Sequence, residues 1–132
     1  MIYINSDGGA RGNPGKGAIG IILRDGEKII KKYSRKIGNV TNNVAEYTAL
    51  IKALEFASEI TKNEITCYLD SELVVNQLLG KYKVNNPNLR ELFCHVQQLQ
   101  ENFSKIKYIY VSRWDKFQKI TDRLLNRELD RK

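Results

Sequence analysis

Apolar residues recur along this chain at two spacings, one typical of strands and the other typical of helices. Near the N-terminus they alternate with polar residues or run continuously, and the dipeptide Asp25-Gly26 joins two such segments in a tight hairpin. Farther along, the spacing of Val44, Tyr47 and Ile51 predicts a helix. The predicted elements are strands over 2–6, 17–23 and 28–36, a helix over 43–58, a strand over 65–69, helices over 73–78 and 89–103, a strand over 107–112 and a helix over 120–129.

The order of these elements, βββαβααβα, predicts an α/β fold in which helices flank a five-stranded mixed sheet. The first and fourth strands of such a sheet must be joined by a crossover, because parallel neighbours cannot share a tight turn. The chain has 132 residues and contains no internal repeat, linker or low-complexity tract. We therefore expect one domain over 1–132.

Charge and composition narrow the function classes only a little. The net charge of +7 favours a polyanionic partner such as nucleic acid, although solvated surface lysines would give the same total. No apolar stretch approaches the roughly 18 to 20 residues that span a bilayer, and the chain begins directly with a strand, so we expect a cytoplasmic protein that does not bind membranes. Cys67 and Cys94 lack the paired spacing of a zinc site or a disulfide framework, and Cys67 should be buried.

Six of the nine glycines lie between Gly8 and Gly20, in and just after the segment S-D-G-G-A-R-G-N-P-G-K-G that follows the first predicted strand. Glycine removes the side chain that would keep a ligand away from the backbone amides, so this segment is a candidate ligand contact. It lacks the G-K-[ST] ending and the following helix of a phosphate-binding P-loop. A plain turn in which Asp7 bonds to its own backbone is the alternative.

Four acidic residues stand at the ends of predicted elements. Asp7 follows the first strand, and Glu46 lies in the first turn of a helix. Asp70 follows the fourth strand, and Asp122 opens the last helix. Structural roles would also explain these positions: Glu46 could complete a capping box with Asn43, Asp70 or the residue after it could cap the next helix, and the last acid could complement a helix dipole.

Topology favours a shared site for two of these acids. Adjacent central strands one and four would bring Asp7 and Asp70 side by side at their carboxyl ends, where two unpaired carboxylates would repel each other. Hard divalent cations relieve such repulsion, and Mg²⁺ commonly binds a few carboxylates while keeping positions for water and phosphate. The pattern therefore predicts a magnesium site with a two-metal clamp.

Four sequence blocks resemble the motif blocks of type 1 ribonuclease H, in the order expected for that family: S-D-G-G-A-R-G-N-P-G-K-G, T-N-N-V-A-E-Y-T-A-L, Y-L-D-S-E-L-V-V and T-D-R-L. The resemblance covers nearly the whole chain. It implies a catalytic set that binds two Mg²⁺ ions, with Mn²⁺ as a substitute, made of Asp7, Glu46, Asp70 and Asp122. It further implies an endonuclease that hydrolyses the RNA strand of an RNA/DNA hybrid, largely independently of sequence, and leaves 5'-phosphate and 3'-hydroxyl ends.

The resemblance also implies a set of substrate contacts, because this family recognises the 2'-hydroxyls that distinguish RNA from DNA. The matching positions are Gly8, Gly9, Asn13, Thr41, Asn42, Asn43, Ser71 and Arg113. Among them, Thr41 matches a DNA-phosphate contact. Helix capping by Asn42 or Asn43 and a turn at Asn13 are structural alternatives that can coexist with substrate contact. The expected partner is an RNA/DNA hybrid bound by a monomer, and cleavage of duplex RNA stays open.

The sequence departs from the family pattern in two places. Many members insert a lysine-rich handle between the two middle helices, whereas here only G-K-Y-K-V-N-N-P-N-L joins them. In this compact form without the basic handle, we expect Lys81, Tyr82, Lys83 and the lysines of the third strand to carry more of the substrate affinity. The histidine that often precedes the last acid is missing; Arg113 is its best substitute, and His95 should have a structural or solvated role.

Two other functions fit part of the pattern. The same fold hosts other acid-dependent nucleases, such as resolvases and integrase-like cores, but the blocks G-N-P-G and T-N-N-V-A-E argue against them. A hybrid-binding module that has lost turnover is the second alternative, although all four acidic residues are present.

Overall fold

A computed structural model describes residues 1–131 as a mixed sheet covered by helices. The strands are β1 (Ile2–Gly12), β2 (Gly15–Asp25), β3 (Lys28–Val40), β4 (Ile65–Leu69) and β5 (Ile106–Tyr110). The helices are α1 (Asn42–Ser58), α2 (Glu72–Leu78), α3 (Pro87–Gln100) and α4 (Gln118–Asp130). The five strands lie in the order β3-β2-β1-β4-β5, with β1 antiparallel to β2 and parallel to β4. The predicted α/β fold class and the adjacency of the first and fourth strands are confirmed.

The first hairpin is longer than the sequence predicts. β1 and β2 pair along their whole length, from Ile2 opposite Asp25 to Gly12 opposite Gly15. The prediction of a first strand that ends at residue 6 and is followed by a glycine-rich turn is wrong, because Asp7 and the glycines after it lie within the hairpin. Glycine is depleted in strands, so this segment gives no strand signal, and the backbone ladder with β2 is what keeps it extended.

The start of α1 also differs from the prediction. Thr41 caps the helix, and its hydroxyl oxygen accepts a hydrogen bond from the backbone N–H of Val44 at 3.2 Å. The alternative of a capping box between Asn43 and Glu46 is therefore excluded. Glu46 is the fifth residue of the helix and lies in its second turn, so its carboxylate is not needed at the helix end.

The starts of α2 and α4 show that neither Asp70 nor Asp122 is needed at a helix end. Ser71 caps α2, since its hydroxyl oxygen accepts a hydrogen bond from the backbone N–H of Val74 at 3.2 Å. Asp70 is therefore not needed as a cap. α4 begins at Gln118, which makes Asp122 its fifth residue rather than its opening one. A carboxylate in the second turn contributes little to a helix dipole, whose effect falls off within the first turn.

The main hydrophobic core lies between the sheet and α1. Ile4, Ile21 and Leu50 are fully buried members of one apolar cluster that joins the strands to this helix. α4 covers the opposite face of β1 and β2 and buries Leu124 and Leu125 there. With both faces of the central strands covered, the sheet gives a rigid support to the side chains at its edge.

Three smaller expectations concern single residues and membrane contact. Cys67 is buried, as predicted, while Cys94 is exposed, and both are free thiols. His95 is exposed on α3, in agreement with a solvated role. Among residues 1–131, no helix combines the length and the apolar character needed to cross a bilayer.

Candidate active site

Three acidic side chains meet where β1 and β4 stop pairing. The parallel ladder ends at Asn5 opposite Tyr68; Asp7 lies two residues later on β1, and Asp70 is the residue directly after β4. Asp7, Glu46 and Asp70 each offer one carboxylate oxygen, and these three atoms lie within 4.8 Å of one another. We call these three residues the acidic cluster. The predicted neighbourhood of the two aspartates is thus observed, and the glutamate of α1 joins them.

Gly8 is the residue that lets Glu46 reach the two aspartates. A Cβ atom on Gly8 would lie 2.2 Å from the backbone carbonyl of Ala45 and 2.6 Å from the backbone nitrogen of Glu46. Real Cβ atoms do not approach so closely, so α1 occupies the space that any side chain would need. The helix therefore lies directly on β1 beside Asp7. Packing of a helix fills the space for which the sequence predicts a ligand contact.

Gly20 has the same effect for α4 on the other face of the sheet. It is the partner of Asp7 in the hairpin ladder, and a Cβ atom on it would lie 2.3 Å from the carbonyl oxygen of Thr121. The next residue, Asp122, lines the same cleft as the acidic cluster. Its carboxylate lies outside the group of oxygens within 4.8 Å, so the fourth predicted acid faces the cleft at a greater distance.

A chain of buried hydrogen bonds fixes the start of α4 to β1. Arg24 Nε donates to Asn5 Oδ1 at 2.9 Å, and Asn5 Nδ2 donates to Gln118 Oε1 at 3.1 Å. Gln118 Nε2 in turn donates to the carbonyl oxygen of Ser6 at 2.8 Å. A guanidinium group only donates, so it sets the orientation of both amides along this buried amide chain. Asp122 lies one turn after Gln118 on the same side of α4, so these bonds hold it at the cleft.

Burial and mutual repulsion raise the pKa values of the acidic cluster. The pKa of Asp7 lies well above its ordinary value, first because burial removes water from the carboxylate and second because Asp70 is close. Burial raises the pKa of Glu46 in the same way, and Asp7 raises it further. Burial also raises the pKa of Asp70, although the nearby Arg113 guanidinium lowers it. Three neighbouring carboxylates that cannot all ionise easily favour the binding of a cation.

The donor set of the acidic cluster fits a hard divalent cation. Glu46 Oε2 is buried and has no hydrogen-bond partner among residues 1–131. A buried carboxylate oxygen without a donor is unfavourable unless it is protonated or a cation binds it. All three side chains offer oxygen ligands, which suit Mg²⁺ and Mn²⁺, whereas structural zinc sites use nitrogen and sulfur. The residues present therefore fit the metal that the sequence predicts.

The predicted substrate contacts divide between the cleft and its surroundings. The cleft has a volume of about 580 Å³. Four of the predicted contacts line it: Gly8, Gly9, Asn42 and Arg113. The other four lie outside its walls: Asn13, Thr41, Asn43 and Ser71. Two residues of this second group cap helices, as described above, and Thr41 also lines a separate groove of about 430 Å³.

Asn13 and Asn42 are tied together beside the cleft. The side-chain oxygen of Asn13 accepts a hydrogen bond from the backbone N–H of Asn42 at 3.0 Å. The side-chain oxygen of Asn42 accepts one from the backbone N–H of Ala10 at 2.9 Å. A backbone N–H only donates, so both amides are oriented with their oxygens toward the protein. The NH₂ groups are therefore the part that these two side chains present to a ligand.

Sequence reasoning missed a second set of residues in the cleft. The walls also include Ala10, Arg11, Tyr110, Ser112, Trp114, Leu125, Asn126 and Leu129. Two signals could have found most of them. Residues three, four and seven positions after Asp122 share its helix face, and the segment Y-I-Y-V-S-R-W at 108–114, shortly before α4, mixes aromatic and basic residues.

The mixed sheet, with acidic residues at the ends of its two central parallel strands, defines a protein of the ribonuclease H-like class. The family model described as reverse transcriptase-like matches residues 5–117 of this chain. The chain belongs to this reverse transcriptase-like family, and the resemblance to ribonuclease H stated from the sequence is confirmed.

Solved ribonuclease H structures superpose closely on this chain. The ribonuclease H1 of Halobacterium salinarum is 37% identical, with a TM-score of 0.91 over 98% of this chain and 97% of that one. The N-terminal ribonuclease H domain of a Mycobacterium tuberculosis protein is also 37% identical, with a TM-score of 0.91 over 98% of this chain and 93% of that one. The LC11 ribonuclease H1, solved in complex with an RNA/DNA hybrid, is 37% identical with a TM-score of 0.90 over 98% and 97% of the two chains.

The chain spans only part of the curated relatives that it matches. Ribonuclease HI of Halobacterium salinarum is 38% identical over 113 residues, which cover 85% of this chain and 57% of that protein. A bifunctional protein of Mycobacterium tuberculosis is 37% identical over 131 residues, which cover 98% of this chain and 35% of that protein.

Proposed function

We propose that this chain is an endonuclease that hydrolyses the RNA strand of RNA/DNA hybrids with the help of divalent metal ions. The products would carry 5'-phosphate and 3'-hydroxyl ends, and cleavage would be largely independent of sequence. One observation carries the proposal: three carboxylates each place an oxygen within 4.8 Å of the others in an open cleft, and one of them has a buried oxygen that finds no partner within the described part of the chain, 1–131. The ribonuclease H relatives, one of them solved with a hybrid, support the choice of substrate.

The acidic residues would hold the metal ions. Asp7, Glu46 and Asp70 have the oxygen ligands and the unmet charge for Mg²⁺, and Mn²⁺ would substitute because it accepts the same ligands. Asp122, which faces the cleft from α4, would contribute to a second ion. When bound, a pair of such ions activates water and stabilises the departing oxygen of a phosphodiester.

Other side chains would position the substrate. The NH₂ groups of Asn13 and Asn42 are oriented away from the backbone and can donate to 2'-hydroxyl or phosphate oxygens of an RNA strand. Arg113 places a positive charge on the cleft wall, where it can pair with a phosphate. Thr41 lines the neighbouring groove and would contact a phosphate of the DNA strand. The backbones of Gly8 and Gly9, and the side chains of Asn43 and Ser71, remain predicted contacts.

A cleavage assay on end-labelled substrates tests the proposal. The wild-type protein is incubated with an RNA/DNA hybrid, duplex RNA, duplex DNA and branched DNA, in Mg²⁺, in Mn²⁺ and in EDTA. We expect cleavage of the hybrid's RNA strand in either metal and none in EDTA, with products that a ligase specific for 5'-phosphate ends accepts. Asp70→Asn should be inactive. Hybrid-independent cutting of DNA would instead favour another nuclease of this fold, and a silent wild type that still binds hybrid would favour a binding module.

We further propose, as the sequence predicts, that the protein acts as a monomer in the cytoplasm. Light scattering of the purified protein at micromolar concentration tests the first point, because a monomer should scatter as a particle of 15.2 kDa. The duplex-RNA arm of the cleavage assay decides whether a second substrate is used.

A further inference from the structure

One wall of the cleft combines exposed aromatic rings with basic side chains. Trp114 is 69% exposed and Tyr110 is 46% exposed, and both line the cleft together with the acidic cluster. The guanidinium carbon of Arg113 lies 5.0 Å from the centre of the Trp114 ring, and Lys119 Nζ lies 6.0 Å from the same ring. We call Tyr110, Arg113 and Trp114, together with the neighbouring Lys119, which does not itself line the cleft, the aromatic wall. The proposed chemistry gives a role to only one of these four residues, Arg113.

The turn that carries Trp114 is held in place at both ends. The backbone N–H of Trp114 donates to the Ser112 hydroxyl at 3.1 Å, and that of Asp115 donates to the Ser112 carbonyl at 3.0 Å. At the other end, Asp115 Oδ2 accepts hydrogen bonds from the backbone N–H groups of Phe117 and Gln118 at 3.0 and 3.1 Å. The indole ring is therefore presented outward by an ordered turn.

The end of this turn is also anchored to the sheet. The ring of Phe117 lies against the Arg24 guanidinium, with 3.8 Å between the guanidinium carbon and the ring centre. Arg24 belongs to the buried amide chain that fixes the start of α4. The aromatic wall thus has a fixed position relative to the acidic cluster.

We propose that Trp114 contacts the RNA strand of the bound hybrid beside the cleavage site, with its indole ring against a ribose or a base. This inference rests on the proposed function. A nucleic-acid strand offers flat, weakly polar faces between negative phosphates, and an exposed indole flanked by cations complements both features. The positive charges of Arg113 and Lys119 also offset the repulsion that the acidic cluster exerts on a phosphodiester. An apolar protein surface would complement the ring but not these two cations.

Trp114 is the only tryptophan of the chain, so its fluorescence reports on this wall alone. The variant Asp70→Asn, in which the proposed cleavage is blocked, is titrated with an RNA/DNA hybrid, a DNA duplex of the same sequence and the single RNA strand. We expect a saturable change in emission with the hybrid. The Kd is measured separately from the anisotropy of a dye-labelled hybrid. In that assay we expect Trp114→Ala to raise the Kd about tenfold, equal to about 1.4 kcal/mol, and Trp114→Phe to restore most of the affinity.

The matched control is Ile60→Ala, which removes an exposed apolar side chain, 51% exposed, beyond the far end of α1. It should leave the Kd unchanged, and both alanine variants should keep the wild-type unfolding midpoint. If the hybrid binds but the emission stays constant and Trp114→Ala binds as tightly as the parent, the inference is overturned while the proposed function stands. If nucleic acid changes the emission but the wild-type protein cleaves no hybrid, the contact surface is supported and the proposed function fails. Absence of any nucleic-acid binding overturns both.

Discussion

At the scale of single residues, the acidic cluster destabilises the folded protein when no cation is bound. Asp7 is 5% exposed and Glu46 is 8% exposed, and the pKa of each lies well above its ordinary value of 3.8 or 4.5. A carboxyl group with a raised pKa holds its proton more tightly in the folded state. Its contribution to stability is therefore fully present below the ordinary pKa and is lost as the pH rises through the raised pKa. As the pH rises above the ordinary pKa values, the metal-free protein therefore loses this contribution.

Asp7→Asn should therefore stabilise the metal-free protein while abolishing cleavage. The amide is neutral and of similar size, so we expect the free energy of unfolding near neutral pH to rise by about 1 to 3 kcal/mol. The difference between variant and wild type should shrink as the pH falls toward about 4, where the wild-type carboxyl is protonated. Urea unfolding in EDTA at several pH values measures this. The exposed Asp25→Asn is the control, and a less stable Asp7→Asn protein at neutral pH would contradict the explanation.

The lack of a side chain at Gly8 allows α1 to pack closely against β1 and so brings Glu46 into the site. In Gly8→Ala the new Cβ would meet the Ala45 backbone at 2.2 Å, so α1 must move away from β1. We expect a loss of about 3 kcal/mol, seen as a fall of about 10 °C in Tm, together with loss of cleavage. Gly9→Ala is the matched comparison, because its Cβ would meet only a Leu125 methyl at 3.5 Å, an ordinary contact. Equal Tm values for the two variants would refute this role of Gly8.

At the scale of elements, the sequence predicts the bounds of a helix or strand well when its apolar pattern is complete. It misplaces the ends of elements that are held by polar contacts or built from glycines. The spacing of Val44, Tyr47 and Ile51 locates α1 to within one residue at its start. β1 runs to Gly12 instead of residue 6, because glycines in a ladder carry no apolar signal, while β2 extends slightly beyond its prediction at both ends. α4 starts two residues earlier than predicted, since Gln118 reads as a surface residue although it is fully buried.

Gln118 is expected to position Asp122 through the first turn of α4. Gln118→Ala would leave the Asn5 amide and the Ser6 carbonyl without their partners, and we expect it to lower stability by about 2 kcal/mol. Because Asp122 would no longer be held at the cleft, kcat should fall about tenfold or more, while the Kd for hybrid changes little. These quantities come from single-turnover cleavage and anisotropy, each measured below the unfolding range.

Gln118→Met separates hydrogen bonding from packing at this position. Its side chain fills the same space without forming the two hydrogen bonds, so kcat should fall as in Gln118→Ala although less stability is lost. A fall in Tm without any fall in kcat for either variant would show that the buried amide chain is only structural.

At the scale of the whole molecule, exposed lysines outside the acidic cleft offer further contacts to a polyanion. The cluster lies just beyond the point where β1 and β4 stop pairing, while the connection between α2 and α3 exposes Lys81, Tyr82 and Lys83. The placement of Asp7 beside Asp70 could be predicted because it follows from strand order alone. The position of Glu46 in the site is implied only by the resemblance to ribonuclease H, because it depends on the close packing of α1 at Gly8. The outward position of Trp114 could not be predicted, because it depends on local turn geometry.

The lysines of this connection should supply part of the affinity for hybrid. In the double variant Lys81→Gln/Lys83→Gln, each lost phosphate contact should reduce the slope of log Kd against log salt by about 1. The charge-matched control is Lys62→Gln/Lys105→Gln, near the opposite ends of β4 and β5, where the Ser104 N–H donates to the Lys62 carbonyl at 2.8 Å. Identical slopes for wild type and Lys81→Gln/Lys83→Gln would exclude this connection from the binding surface.

The central claim is that the acidic cluster binds a divalent cation, and Mn²⁺ titration followed by electron paramagnetic resonance tests it most directly. We expect wild type to bind Mn²⁺ in competition with Mg²⁺, and Glu46→Gln to bind it at least about tenfold more weakly. Glu128→Gln is the matched control, since Glu128 is an equally buried acid, 8% exposed, that bonds to Ser34 and Arg131 away from the cleft. Equal Mn²⁺ affinity in wild type and Glu46→Gln would contradict the claim.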